Sequence, residues 1–206
     1  MTGRIARAIV IVVVIAACTV LYGMRVAEVN DAYPKQSTVV FSFGDTATYA
    51  GENSSEGKVE YGDISITATS ARLLDYSQIQ KLIPGYVDGV VEANSASDVR
   101  ALLIKIRAKN TSGTVQQVHF RDFKVQSRAW MNGLDLDLYL PLNNSQPTIV
   151  EIQPGEELQT TLAYTIYDTQ FNSAADWVDI NSRDFELALS YYPVKYTIAL
   201  GCPETA

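Results

Sequence analysis

The alternation of apolar and polar residues between positions 64 and 200 is the feature that most constrains the fold of this chain. Side chains of a β-strand point in turn to its two faces, so each alternating run places one face in a core and the other in water. This pattern is typical of antiparallel sheets. The apolar members of the runs are Ile64 and Ile66; Leu102, Ile104, Ile106 and Ala108; Leu158, Leu162, Tyr164 and Ile166; Phe185, Leu187 and Leu189; Val194, Tyr196, Ile198 and Leu200.

Shorter apolar patches at 39–43, 118–120, 123–125 and 134–142 bring the total to seven to nine predicted strands. Turn residues separate them at Thr111-Ser112-Gly113, Asn132-Gly133 and Pro154-Gly155, as expected for short strands in a sandwich. The apolar positions change parity between Phe120 and Phe123, which predicts a break or bulge near Arg121-Asp122. We therefore predict an all-β domain with the architecture of an immunoglobulin-like antiparallel β-sandwich.

An uncharged apolar segment covers residues 8–24, between Arg7 and Arg25. As a helix it is ~26 Å long, which is at the short end for a membrane span. Basic residues precede it and acidic residues follow Arg25, so the positive-inside bias predicts a cytoplasmic N-terminus. The predicted anchor consists of Ala8, Ile9, Val10, Ile11, Val12, Val13, Val14, Ile15, Ala16, Ala17, Cys18, Thr19, Val20, Leu21, Tyr22, Gly23 and Met24.

This anchor gives a predicted organisation for the whole chain. Residues 1–7 are a cytoplasmic stub, 8–24 a single transmembrane helix, 25–37 a polar stalk broken by Pro34, and 38–206 an extracytoplasmic domain at the cell membrane. Two alternatives remain open. Ile15-Ala16-Ala17-Cys18 resembles a bacterial lipobox, in which Cys18 becomes the lipidated first residue, and the same segment also has the form of a cleaved signal. All three interpretations export the domain.

Charge and composition exclude several classes of function. A net charge of −7 leaves no basic surface for neutralising phosphates, so we predict no binding to nucleic acid. The single His and the two separated cysteines, Cys18 and Cys202, do not form a zinc site, and no nucleotide-binding or hydrolase motif occurs. We therefore predict no metal site and no cofactor. The bilayer separates the two cysteines, so no internal disulfide is expected.

Two stretches do not fit the strand pattern. Residues 75–98 place Ile79, Leu82 and Ile83 at helical spacing, which predicts one or two turns that Pro84-Gly85 would end. Residues 167–184 form a polar stretch that contains Trp177. Long connections on a rigid sandwich are where binding groups usually lie. We predict that a partner, if one binds, contacts Tyr76 and Tyr86 in the first stretch and Trp177 in the second.

The arrangement of three segments resembles a known group of proteins. Asn110-Thr111-Ser112-Gly113 follows a long strand, Phe123 lies in a later one, and Ile152-Gln153-Pro154-Gly155-Glu156 leads into Leu162-Ala163-Tyr164. This order is similar to bacterial extracellular immunoglobulin-like domains of unknown function, carried by membrane-anchored proteins of Gram-positive bacteria and of actinobacteria especially. The resemblance spans residues 61–201 and implies a sandwich fold with no catalytic residue.

The sequence therefore predicts a membrane-tethered interaction or sensing module without catalytic activity, which contacts another envelope protein or an unidentified ligand. One alternative is a sortase-like transpeptidase with Cys202 as nucleophile and His119 as acid and base. However, no Arg follows Cys202 in the sequence. Another is an exported lipoprotein that binds a small ligand. Asp135 and Asp137 are not interpreted as a catalytic or metal-binding pair, because alternation with leucines places both on the outward face of a predicted strand.

Overall fold

The computed structural model describes residues 2–32, 37–49, 63–93, 96, 98–171, 173–191 and 194–205. The chain divides into two units, Met1–Gln36 and Ser37–Ala206, and each is described by itself. The helices are α1 (Thr2–Ala32), α2 (Tyr76–Leu82), α3 (Gly89–Glu92), α4 (Leu136–Leu142) and α5 (Ala174–Val178). The strands are β1 (Ser37–Phe41), β2 (Thr46–Tyr49), β3 (Ile64–Asp75), β4 (Val99–Asn110), β5 (Gln116–His119), β6 (Lys124–Ser127), β7 (Trp130–Gly133), β8 (Ile149–Ile152), β9 (Glu157–Tyr167), β10 (Phe185–Ser190), β11 (Val194–Gly201) and β12 (Glu204–Thr205).

Helix α1 contains a stretch, Ile9–Asp31, that is long and apolar enough to cross a membrane, with a mean hydropathy of 2.4. The prediction of an apolar N-terminal helix is confirmed, but the predicted stalk from residue 25 is wrong over its first eight residues because α1 continues to Ala32. The residues after Arg25 are compatible with a helix, and Arg25 pairs with Glu28 one turn later at 2.5 Å. Pro34 lies outside the described residues.

Two sheets form the sandwich. Sheet A has the strand order β1-β11-β10-β6-β7, and sheet B has the order β12-β3-β4-β9 with β2 also paired to β3. Strands β5 and β8 form a small third sheet. Apolar side chains of both large sheets make one core, which includes Ile104 and Tyr164 from sheet B and Val125 and Leu187 from sheet A. The predicted β-sandwich is confirmed at this level.

Two edge pairings depart from the predicted antiparallel arrangement. Strand β1 runs parallel to β11, with Ser37 opposite Val194, and β12 runs parallel to β3, with Glu204 opposite Arg72. Parallel partners need long connections, and in both pairs more than a hundred residues separate the two strands. Alternation reports the two faces of a strand but not its neighbours, so these pairings are not visible in the sequence.

A second, smaller apolar cluster lies on the other face of sheet B. Ala101 and Leu103 of β4 point into it, and Ile79 of α2 and Leu138 of α4 cover them. Their neighbours Leu102 and Ile104 belong to the main core. The first half of β4 is therefore buried on both faces, which explains why it is apolar at successive positions and becomes alternating only after Ile104.

The predicted strand over residues 134–142 is wrong, because this segment forms α4. The side chain of Asp135 caps the helix by accepting hydrogen bonds from the backbone N–H groups of Asp137 and Leu138, as carboxylates at this position do. Leucine is a good helix former, but residues two apart lie on nearly opposite sides of a helix, and Leu138 alone of the four helical leucines is fully buried. Asp135 and Asp137 therefore do not share the outward face of a strand.

The predicted turn at Asn132-Gly133 is also wrong, because both residues lie in β7. The chain reverses instead at Arg128-Ala129, where Arg128 has a φ of 53°. The other turn predictions agree with the structure. Helix α2 ends before Pro84-Gly85, Gly155 has the positive φ (77°) that its turn requires, and a short 3₁₀ turn, Phe120–Asp122, interrupts the chain near the predicted break.

Candidate functional site

Four aromatic rings stack in a row at one end of the sandwich. Trp130 of β7 meets Phe185 of β10 edge to face at 6.1 Å, and its other neighbour Phe171 lies parallel to it at 6.1 Å. Phe171 in turn contacts Trp177 of α5 at 5.6 Å. The Trp130 indole N–H donates to Oε1 of Gln170, which fixes the ring. This row joins the main core to the predicted 167–184 stretch.

A cavity of about 570 Å³ lies beside this row. Its size is within the range of small-molecule sites, ~300–1,000 Å³. The tip of the β6–β7 hairpin and the 167–184 stretch form its walls. The residues that line it are Arg128, Ala129, Trp130, Met131, Gln170, Phe171, Asp176 and Arg183.

Arg183 is the most constrained charge of the cavity, with 6% of its surface exposed. Its Nη2 donates to the main-chain oxygen of Asp176 at 3.1 Å and lies 3.7 Å from the carboxylate of the same residue. The guanidinium also lies over the ring of Phe171, 4.8 Å from its centre. Its Nε is buried and has no hydrogen-bond partner among the described residues. The positive charge of Arg183 is therefore desolvated and only partly compensated.

Arg128 and Met131 form the exposed side of the cavity. Arg128 lies at the hairpin tip in the left-handed region of φ, which is uncommon for a residue with a side chain. Met131 is 56% exposed although it is apolar. Backbone strain of this kind is concentrated at binding sites, and Met131 adds an apolar contact at the mouth of the cavity.

The predicted contact residues Tyr76 and Tyr86 lie together, with ring centres 6.5 Å apart. Both are hydrogen-bonded to Asp88, which is 3% exposed. The hydroxyl of Tyr76 accepts from the backbone N–H of Asp88 at 3.4 Å. Tyr86 donates its hydroxyl to Oδ2 of Asp88 at 3.0 Å, and Tyr167 of β9 donates to the same oxygen at 2.9 Å. The other oxygen, Oδ1, accepts from the N–H groups of Val90 and Val91 and caps α3. Tyr86 and Tyr167 thus satisfy the hydrogen-bonding capacity of a buried carboxylate.

This environment changes the acidity of the tyrosines. Burial raises the pKa of Tyr86 well above its usual range, and the negative charges of Asp135 and Asp88 raise it further. Burial and the hydrogen bond to Asp88 raise the pKa of Tyr167 in the same direction. Burial also raises the pKa of three further tyrosines, Tyr139, Tyr164 and Tyr191.

The raised pKa values predict a loss of stability in alkali. Tyrosines of the unfolded chain lose their protons near pH 10, whereas Tyr86 and Tyr167 keep theirs in the folded state. Their contribution is therefore fully present below pH ~10 and falls as the pH rises further. We expect unfolding midpoints in guanidinium chloride to decrease above pH ~10, and to decrease less in the variant Tyr86→Phe/Tyr167→Phe. Ionisation of all twelve tyrosines near pH 10 in the folded protein, followed at 295 nm, would contradict this account.

Trp177 occupies a different network from the two tyrosines. Its indole N–H donates to Oδ2 of Asp98 at 3.1 Å, and the guanidinium of Arg100 lies 5.5 Å from the centre of its ring. Arg100 also pairs with Asp98 at 2.6 Å. Trp177 is therefore half-buried. It packs against Phe171, which lines the cavity, but does not line the cavity itself.

The residues of the sortase-like alternative lie in separate parts of the domain. Cys202 follows β11, is exposed, and its thiol contacts the carbonyl oxygens of Asn181 and Pro203. His119 ends β5 in the third sheet, and its Nδ1 is 3.8 Å from Asp122. Among the described residues, the thiol of Cys202 is hydrogen-bonded to carbonyl oxygens and not to an imidazole. This geometry adds no support to a transpeptidase mechanism with a cysteine nucleophile.

Sequence reasoning identified the 167–184 stretch but missed the residues that line the cavity. Trp130 and Arg128 lie between the predicted strand at 123–125 and the predicted turn at Asn132-Gly133, in residues that were assigned to no strand. Arg183 lies between Ser182 and Asp184 and has the sequence context of an exposed loop. One sequence feature could have indicated the site: the chain has two tryptophans, and both lie in the aromatic row.

Residues 38–196 match the family described as Domain of unknown function (DUF5028). The chain belongs to this family. The match begins just after the N-terminal unit and covers nearly the whole sandwich of this DUF5028 protein. It confirms the predicted resemblance to a domain of unknown function. Among the curated proteins no sequence matches the chain.

Several solved structures match this DUF5028 protein over most of its length at low sequence identity. An uncharacterised β-sandwich protein of Clostridium difficile has 11% identity, a TM-score of 0.40, and coverage of 81% of this chain and 97% of its own. The yjhA protein of Bacillus subtilis has 10% identity, a TM-score of 0.41, and coverage of 78% and 98%. A functionally unknown protein of Listeria monocytogenes has 13% identity, a TM-score of 0.41, and coverage of 78% and 89%.

Proposed function

We propose that this protein is a membrane-tethered, extracytoplasmic interaction or sensing module without catalytic activity, and that its partner docks at the cavity beside the β6–β7 hairpin. The partner is another envelope protein or a ligand of the cell surface. The observation that carries the proposal is the cavity itself, in which the buried and incompletely partnered Arg183 lies against the aromatic row. A buried cation with incomplete partners lowers the stability of the fold, and such groups are concentrated at functional sites.

The N-terminal unit supports the tether. The uncharged residues 8–24 of α1 include Cys18 and continue beyond it to Met24, and the candidate span Ile9–Asp31 contains them; we propose on this length that the helix is retained. With Arg4 and Arg7 at its beginning and the domain after its end, the positive-inside bias favours an exported domain. Under the lipoprotein alternative, Cys18 carries a lipid and the same domain is exported.

The sandwich supports a finer classification as immunoglobulin-like. Its two sheets enclose one core, and the long strands β3, β4 and β9 are joined in antiparallel pairs. We propose on this basis, and on the turn residues described above, that the chain groups with the membrane-anchored extracellular immunoglobulin-like proteins of Gram-positive bacteria and actinobacteria.

A photo-crosslinking experiment tests the proposed docking position. Benzoylphenylalanine is placed at Met131, which lines the cavity and is 56% exposed, in the full chain in its native cells. We expect irradiation to give a discrete crosslinked product, because a docked partner lies within reach of this side chain. Val178 is 77% exposed and lies outside the cavity lining, so the same reagent there is the control and should give no such product.

Two further variants make the result decisive. The product at position 131 should disappear when Arg128, on the rim of the cavity, is replaced by Gln, while the amount of folded protein stays the same. Benzoylphenylalanine at Leu82, 44% exposed on α2, tests the alternative surface formed by residues 75–98. A product at position 82 and none at position 131 would move the docking site to that surface. Equal products at positions 131 and 178 would mean that the cavity has no special role.

A further inference from the structure

We propose that the cavity binds a ligand that carries a carboxylate next to an aromatic or other flat apolar group. This inference rests on the proposed function, and it adds the chemical class of what the cavity accepts. Three features of the cavity wall support it: the balance of charge, the positions of the hydrogen-bond donors, and the aromatic surface.

The charge of the cavity is opposite to that of the domain around it. After the first 25 residues the chain has 13 basic and 23 acidic residues. The cavity wall nevertheless contains two arginines, Arg128 and Arg183, and a single acid, Asp176. Because Arg183 is desolvated, its field acts through a medium of low dielectric and is stronger than that of a surface charge. A ligand with one negative charge neutralises the net positive charge of these three side chains.

Apart from Asp176, whose carboxylate is paired with Arg183, the side-chain polar groups of the wall offer donors to a ligand. The carboxylate of Asp176 accepts a hydrogen bond from Ser173 and pairs with Arg183. Oε1 of Gln170 accepts from both Trp130 and the N–H of Tyr167, so both of its lone pairs are used. This leaves the amide nitrogen of Gln170 as the part that can meet a ligand. Donors suit a carboxylate, which only accepts hydrogen bonds.

The aromatic surface determines the other part of the ligand. Phe171 and Trp130 lie parallel, with an angle of 17° between their planes, and both border the cavity together with Met131, whose sulfur accepts a hydrogen bond from the hydroxyl of Tyr191. Sulfur and aromatic edges make favourable contacts with a flat ring. The guanidinium of Arg128 at the hairpin tip has the planar fork that holds a carboxylate by two parallel hydrogen bonds.

Fluorescence of the two tryptophans provides the test. The full chain is placed in detergent micelles in a Trp177→Phe background, so that Trp130 is the only tryptophan present, and excitation is restricted to tryptophan. The probes are N-acetyl-L-phenylalanine and N-acetyl-L-phenylalaninamide, which differ only in the carboxylate. We expect the acid to bind roughly tenfold or more tightly than the amide, since hydrogen bonds to a charged group are stronger than those to a neutral one. Equal affinities, or no response to either probe, would overturn the assignment.

Variants at three arginines locate the effect. Arg128→Gln should weaken binding of the acid about tenfold and leave binding of the amide unchanged. Arg183→Gln should act in the same direction, and Arg128→Gln alone suffices if this variant folds poorly. Arg121→Gln makes the same change of charge at an exposed position outside the cavity and is the control. A loss of affinity as large for Arg121→Gln as for Arg128→Gln would reduce the effect to net charge and contradict the proposal.

The two proposals can fail separately. A crosslinked partner at Met131 together with equal binding of acid and amide would keep the docking site and reject the carboxylate. The tetrapeptide Gly-Gly-Gly-Phe with a free or an amidated end distinguishes the source of the acid. Tighter binding of the free peptide than of N-acetyl-L-phenylalanine indicates the end of a protein chain. Equal binding of the two indicates a small acid.

Discussion

Replacing Asp88 with Ala is expected to lower the free energy of unfolding by about 3 kcal/mol, which corresponds to a decrease in Tm of roughly 6–12 °C for a domain of this size. The carboxylate accepts four hydrogen bonds in a site where 3% of the residue is exposed. Its removal leaves the hydroxyls of Tyr86 and Tyr167 without their acceptor and uncaps α3. Chemical denaturation of the full chain in nanodiscs measures the loss.

Asp75 provides a matched control for this variant. It is also an aspartate that caps a short helix, since Oδ1 accepts from the N–H of Gln78. That hydrogen bond, followed by one from Ser77, holds the pKa of Asp75 below its usual value. Its side-chain partners in the part of the chain that the structure describes are Ser77 and Gln78 rather than a tyrosine, so Asp75→Ala should cost about 1 kcal/mol. If Asp88→Ala and Asp75→Ala cost the same, the tyrosine network does not stabilise the domain.

The matched change at the tyrosines separates the cap from the network. In Tyr86→Phe/Tyr167→Phe the donors to Oδ2 are absent, so adding Asp88→Ala should cost only the cap, about 1 kcal/mol. The difference between the two backgrounds is the coupling of Asp88 to the tyrosines. A coupling near zero would show that these hydrogen bonds contribute nothing net to stability.

Much of the fold was predictable because period two is visible wherever a strand has one wet face. The run from Leu102 to Ala108 predicted β4 correctly. The same rule failed over residues 134–142, because this segment forms a helix of good helix formers that buries only Leu138, and its leucines do not share one face. In that segment the capping rule was the stronger signal, since Asp135 stands directly before the helix. Local hydrogen bonding decided there between two conformations that hydrophobicity did not separate.

The candidate site was predictable only in part. Trp177 marked the correct stretch, but the far members of the aromatic row, Trp130 and Phe185, come from strands β7 and β10, which are more than fifty residues apart. The burial of Arg183 depends on Phe171 and on the neighbouring α5, and neither contact leaves a pattern around position 183. This site exists only because β6 pairs with β10, which brings distant segments together. A single sequence does not show which strands pair.

The proposed topology predicts an all-or-none result from the chain's own two cysteines. Cys202 is exposed on the sandwich domain, whereas Cys18 lies within the apolar stretch of α1. If the helix spans the bilayer, Cys18 is surrounded by hydrocarbon and Cys202 faces the exterior. A sulfonated maleimide that does not cross membranes should therefore label intact cells at Cys202 alone. Cys202→Ser should abolish labelling, and Cys18→Ser should leave it unchanged.

This labelling is the most direct test of a membrane-tethered, exported binding module. The measurement is the ratio of label on Cys202 in intact cells to that after permeabilisation, with a cytoplasmic protein as a control for leakage. The account predicts a ratio close to one. Labelling of Cys202 only after permeabilisation would place the domain and its cavity in the cytoplasm and contradict the account.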